Sequence, residues 1–259
     1  MKYLHRLLNI REGEGKPVVL LFTYFFFFGA TLTVSKTARD AYFLNRFDIS
    51  YLPLMFLAAA CAVALTVVVY NLVSKRLDLI PSVALTGFIF ALSLVLIQSH
   101  LEGGFIPFLY VWVDVITTVI SVQFWVMAGM VLNSRQAKRI FGIILVGSPV
   151  ARIVIGASIP SFVNRFGSAY LLTLAAGFIL CCVLMAWLTR PYLVRGAPEK
   201  PRQEKRSGKL GFFDGYMKMM AVAVGAAAVT TVIVEYQFLI LSNEFFPMEE
   251  DLASFFGIF

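Results

Sequence analysis

Uninterrupted apolar stretches of about 20 residues recur along this chain from Pro17 almost to its last residue, and nothing else in the sequence limits its folding so strongly. A helix needs about 20 residues, at roughly 1.5 Å each, to cross the hydrocarbon of a bilayer, and it satisfies its own backbone polar groups on the way. The pattern predicts crossings over 17–34, 52–74, 79–99, 105–132, 140–162, 168–189 and 217–243, with an eighth starting near Asp251. Composition agrees: 59% of residues are hydrophobic and 14% charged, and the mean hydropathy of +0.82 excludes an ordinary soluble domain. The expectation is an all-α, polytopic membrane protein.

The first run, Pro17 to Val34, exceeds the roughly 7 to 15 apolar residues of a signal peptide and lacks a small-x-small cleavage site after it, so it is expected to stay as a helix. Ser35 to Asp48 contains no Gly or Pro, which lets that helix continue with its charges along one side. Leu4, Leu7 and Leu8 within the polar 1–16 segment suggest a short amphipathic helix on the membrane surface. Cys61, Cys181 and Cys182 all fall in apolar runs and read as packing residues.

The formal charge is +7, yet most of the 22 basic residues sit in alternate connections between apolar runs. That is the distribution of topology signals, so no nucleic-acid partner is expected. Lys36, Arg39, Arg46 and Arg165 fall on the opposite side, which predicts an N-terminus in the cytoplasm and a multi-pass protein of the cytoplasmic membrane. The long basic break between the sixth and seventh crossings divides the chain into a 1–16 cytoplasmic segment, a six-helix half over 17–190, a linker over 191–216 and the start of a second half over 217–259. Six helices, a basic cytoplasmic linker and a new set of helices is the layout of major-facilitator-like transporters. The eighth crossing stops within its first turns, which reads as a piece of a longer protein whose second half follows.

Ionised side chains at membrane depth cost about 2.5 to 3.5 kcal/mol on insertion scales, so their positions carry most of the functional information. Asp114 lies inside the fourth crossing, with Thr117, Thr118 and Ser121 following on the same face. Arg152 lies at a similar depth in the fifth, and the two are expected to pair. Lys36, Arg39, Asp40 and Phe43 share a face of the first helix by their spacing. Spacing alone leaves two readings open there, a functional cluster or an interfacial one that snorkels to water. Glu235, in the seventh crossing with Thr231 and Ser242 on its stripe, has no obvious partner and reads as functional. Trp112, Gln123 and Trp125 read as packing or helix-contact residues.

Four stretches carry a resemblance: Lys36-Thr37-Ala38-Arg39-Asp40-Ala41, Gln136-Ala137-Lys138-Arg139-Ile140-Phe141-Gly142, Glu235-Tyr236-Gln237-Phe238, and Phe246-Pro247 through Ser254-Phe255-Phe256-Gly257. In order and placement they resemble the ATP/ADP translocase type of nucleotide transporter found in plastids and intracellular bacteria, related in architecture to the major facilitator superfamily. The resemblance runs from about residue 17 to the end. It implies that Lys36 and Arg39 face anionic phosphates while Asp114 and Glu235 hold or gate the substrate. The chain departs from the family at Ile143 to Arg152, where the family is rich in glycine and this sequence places a further charge.

These readings converge on a secondary transporter moving nucleotides or related organic phosphates by alternating access, with Lys36, Arg39, Asp40, Asp114, Arg152 and Glu235 as substrate-binding residues. The expected partners are an anionic small molecule, the bilayer and the rest of the same protein, and no cofactor is expected. A transporter-like receptor or regulatory module without transport is the alternative. An enzyme is not expected, because His5 and His100 are isolated, no Cys/His cluster exists, and Gly13-Glu14-Gly15-Lys16-Pro17 lacks the spacing and hydroxyl of a phosphate-binding loop.

Overall fold

A computed structural model describes residues 14–74, 78–100, 105–193, 215–246 and 248–258. Among these residues all regular structure is helical: α1 (Gly15–Arg46), α2 (Leu52–Ser74), α3 (Leu79–Gln98), α4 (Phe105–Val131), α5 (Ser134–Leu145), α6 (Gly147–Phe166), α7 (Tyr170–Thr189), α8 (Gly215–Phe245) and α9 (Glu249–Ile258). Short 3₁₀ turns lie at Ile49–Tyr51 and Arg190–Tyr192. Seven helical stretches are long and apolar enough to cross a bilayer, α5 and α6 together forming one of them. The protein is therefore an all-α, polytopic membrane protein. The surface helix expected within 1–16 lies outside the described residues except for 14–16, and so do residues 194–214 of the expected linker.

The first helix continues through its polar stretch to Arg46, giving 32 residues and a length of about 48 Å. The fifth crossing differs from the expected single helix. It starts six residues earlier, at Ser134, and breaks at Val146. Pro149 explains the break, since it has no N–H to donate to the carbonyl of Leu145 and its ring crowds that carbonyl. The side chain of Gln136 accepts from the Asn133 N–H at 3.0 Å, which secures the start of α5.

Helix α1 is the hub of the bundle, packing against α4, α5, α6, α7 and α9, while α3 packs on α7 and α2 on α4. Its buried residues, from Val18 through Tyr24 and Phe28 to Phe43 and Leu44, occur around most of its circumference, as expected for a helix with neighbours on several sides. Tyr24 stacks on Phe124 of α4, with ring centroids 5.7 Å apart. Gly29 lies against α6 so closely that a Cβ there would stand 2.7 Å from Ser148. Polar contacts inside the bundle are helix ties, as expected for Gln123 and Trp112: the Gln123 amide donates to Thr86 at 2.7 Å and the Trp112 indole N–H to Ser93 at 2.8 Å. Cys182 is buried, Cys181 half-buried and Cys61 exposed, and all three are free thiols.

The helix ends gather at two faces of the bundle. At the face carrying the start of α1, Glu14 accepts from the Gln136 side chain at 2.9 Å and pairs with Arg139, tying α1 to α5. At the opposite, distal face, Tyr42, Arg46, Gln98, His100, Ser168 and Glu249 line one cavity of about 540 Å³. In the distal turn after α1, Asp48 accepts from the Ser50 N–H at 2.8 Å and from the Ser50 hydroxyl. These bonds hold the Asp48 carboxyl below the usual carboxylate range. A lowered folded-state value stabilises the turn above the ordinary carboxylate range, and that stabilisation is lost as pH falls through the lowered value. Amide hydrogen exchange at Ser50 is expected to accelerate on acidification in the wild type, and to be fast and insensitive to pH, beyond the intrinsic exchange chemistry, in Asp48→Ala.

Candidate functional site

Helix α1 presents Lys36, Arg39 and Asp40 on neighbouring turns, about 10 Å from its distal end at Arg46. Arg39 is 1% exposed and is the largest fully buried side chain among the described residues. A guanidinium has five donors and no acceptor, and burial demands that carboxylates surround it. The structure supplies them from three helices. Arg39 Nε donates to Asp40 Oδ1 at 2.8 Å on α1, Nη1 lies 2.8 Å from Asp114 Oδ1 on α4, and Nη2 lies 3.7 Å from Glu235 Oε1 on α8. The Lys36 ammonium donates to the same Glu235 oxygen at 3.4 Å.

Below this fork the ring of Tyr110 stacks against the guanidinium, its centroid 4.1 Å from Arg39 Cζ. Tyr110 precedes Asp114 by one turn of α4, so both face α1. Its hydroxyl is buried without a hydrogen-bond partner. Charges on Arg39, Asp40, Glu235 and Asp114 all act on it. The sequence reading missed Tyr110, although its position four residues before Asp114 is the periodic signal that would have found it.

Two expectations are corrected here. Asp114 does not pair with Arg152. Both α4 and α6 pack on α1, and Arg39 of that central helix takes the carboxylate. Arg152 points outward from α6 among exposed Ile153 and Val154, and it is not among the charges acting on Arg39 or Asp40. Glu235, expected to lack a partner, shares one oxygen between Lys36 and Arg39. The snorkelling reading of the α1 cluster fails for Arg39, whose side chain is enclosed, while Lys36 remains 36% exposed.

Compared with protein-family models, curated proteins and solved structures, the chain matches none. The site therefore stands on its own geometry. Two cations and three carboxylates from α1, α4 and α8 meet at one point, with Asp114 24% and Glu235 30% exposed on the open side. Such an arrangement can hand the cations to an incoming anion when carboxylates withdraw, because Arg and Lys are the side chains that bind phosphate oxygens well.

A second set of contacts closes the distal face. Glu249, in the first turn of α9, accepts from the Ser168 hydroxyl between α6 and α7, and it lies 3.8 Å from Arg46 at the end of α1. Helix α8 touches the bundle only along its distal part. Residues 218–234 are exposed throughout, whereas Glu235, Tyr236, Leu239, Ile240, Ser242 and Asn243 are buried or half-buried. Nothing in the sequence pattern pointed to Arg46 or Glu249.

Proposed function

We propose that this chain acts in a secondary transporter for nucleotides or related organic phosphates, with a major-facilitator-like arrangement working by alternating access. The observation that carries this reading is the enclosed Arg39, held at membrane depth by carboxylates from three helices, one of them on α8, across the expected linker from the other two. An isolated structural ion pair needs one carboxylate. A site with three, two of them partly open, suits a guanidinium that changes partners during a cycle.

Lys36 and Arg39 supply the phosphate contacts, Asp114 and Glu235 hold those cations while the site is empty, and Asp40 anchors Arg39 within α1. The bulk of the basic connections supports an N-terminus in the cytoplasm. Arg152 is left outside this set.

Uptake and exchange of radiolabelled ATP and ADP by cells expressing the full-length protein test the proposal. Saturable exchange is expected, with Lys36→Gln losing at least tenfold in uptake at low substrate concentration. Wild-type uptake no higher than in cells without the gene, for every nucleotide tried, removes the nucleotide reading and leaves a receptor-like membrane module.

A further inference from the structure

Arg46 follows Arg39 by seven residues, on the same face of α1 and about 10 Å nearer the distal face. Its surroundings repeat those of Arg39. Arg46 Cζ stands 5.7 Å from the ring centroid of Tyr42, as Arg39 Cζ stands 4.1 Å from that of Tyr110. An acidic partner again comes from beyond the expected linker: Glu249 on α9 lies 3.8 Å from Arg46, and Glu235 on α8 lies 3.7 Å from Arg39. The Tyr42 hydroxyl, like that of Tyr110, is buried without hydrogen-bonding geometry to any partner. The difference is access. Arg39 is enclosed, whereas the Arg46 side chain is 39% exposed and lines the distal cavity.

That cavity holds the donors an anion needs. Its volume of about 540 Å³ falls within the range of small-molecule sites, about 300 to 1,000 Å³. The Glu249 carboxylate stands where an anion would stand, one oxygen taking the Ser168 hydroxyl and the other facing Arg46. Tyr42 lies beside Ser168, with the charges of Glu249 and Arg46 acting on it. Withdrawal of this one carboxylate therefore frees Ser168 and Arg46 together, next to a Tyr42 hydroxyl that is already idle. His100 and Gln98, whose carbonyl accepts from Thr173, add ring and amide nitrogens from the end of α3. Glu250 and Asp251, on the same turn of α9 as Glu249, are exposed and do not line the cavity.

We propose that the distal cavity is a second subsite for a phosphate-bearing anion, which takes the place of the Glu249 carboxylate on Arg46, Ser168 and Tyr42. Phosphate oxygens bind a guanidinium in pairs, and a di- or triphosphate carries more charge than one carboxylate, so it competes for this position. No covalent bond changes. Because Glu249 lies in the first turn of α9, its displacement loosens the contact of α9 with α1, and Arg39 lies two turns further in on the same face. Binding of an anion follows from the cavity itself, while its identity as a nucleotide passing to Arg39 rests on the reading above.

Thiol labelling tests this in the purified full-length protein with every native cysteine replaced by alanine. A reporter thiol is placed in the cavity by Ala169→Cys, or by Ser99→Cys if the first does not fold, and its reaction with a neutral maleimide is followed. Inorganic tripolyphosphate and ATP are each expected to slow the reaction several-fold at saturation. Arg46→Gln raises the concentration needed for protection roughly tenfold or more, and Glu249→Gln lowers it roughly tenfold, because the resident competitor is then neutral. Lys36→Gln, which cripples the central site, leaves it unchanged. Helical circular dichroism and a monodisperse elution profile establish that each variant is folded, and Glu249→Gln supplies the answer if Arg46→Gln fails that check.

Protection that survives Arg46→Gln, or disappears with Lys36→Gln, belongs to the central site and overturns the proposal. An unchanged or weakened response in a folded Glu249→Gln does the same. Protection by short-chain phosphatidylglycerol and by neither soluble anion assigns the cavity to a lipid headgroup and also overturns it. Saturable ATP uptake without protection by either anion sinks the distal subsite alone. Protection by tripolyphosphate that depends on Arg46, without uptake of any nucleotide, upholds the subsite and sinks the nucleotide reading alone.

Discussion

Arg39→Gln is expected to lower the thermal stability of the purified protein more than any other single change at the site. The substitution keeps some hydrogen bonding but shortens the side chain, removes the charge and leaves Asp40, Asp114 and Glu235 facing Lys36 alone. Removing one partner of a buried ion pair costs about 3 to 5 kcal/mol, because the remaining charge stays buried without compensation. The lost stacking on Tyr110 adds roughly 0.5 to 2 kcal/mol. Arg39→Lys should fall between the two, since one ammonium keeps the charge but cannot fork toward carboxylates on three helices. Thermal unfolding in detergent, followed by tryptophan fluorescence, is the measurement. An Arg39→Gln midpoint equal to that of wild type would mean that the carboxylates do not depend on the guanidinium.

The second large effect is expected at Gly156, where α6 and α9 meet backbone to backbone. A Cβ on Gly156 would run into the carbonyl oxygen of Gly257, and a Cβ on Gly257 would stand 2.6 Å from Cβ of Ile159. Neither neighbour is the tip of a flexible chain, so the helices must separate. Gly156→Val is expected to cost about 1 to 3 kcal/mol, the range for overpacking a close contact. It should also displace Glu249 from Arg46 and Ser168, because α9 carries that residue on its first turn. Cysteines introduced at Ala157 and at Ser254 and joined by a short bis-maleimide report the separation. Cross-linking as efficient in Gly156→Val as in wild type would show that α9 docks without the close approach.

The transmembrane helices were legible because each is written locally. About 20 apolar residues are enough to specify a crossing, whatever the rest of the chain does. The α5–α6 break was missed, although Pro149 carries its cause in the sequence: the apolar count runs through a proline that the hydrogen-bond ladder does not. Lys36, Arg39, Asp40, Asp114 and Glu235 were also found locally, since charges in apolar helices are rare and expensive. Their pairing was not, because equal depth says which residues lie at the same level and not which helices are neighbours. Asp114 and Arg152 share a level, yet α1 stands in the middle of the bundle and intercepts the carboxylate. Glu235 lies 199 residues beyond Lys36, a pairing that no helical period can express. The distal contact of Arg46 with Glu249 has no local sign at all, being a meeting of two ordinary helix ends.

The central position of α1 sets an order problem for biosynthesis. The ribosome delivers Arg39 long before Asp114 and longer still before Glu235, so during synthesis its nearest counter-charge is Asp40, the adjacent residue. Asp40 therefore serves as the standing counter-charge of the guanidinium, and the partners from α4 and α8 complete the shell around a helix that is already in place.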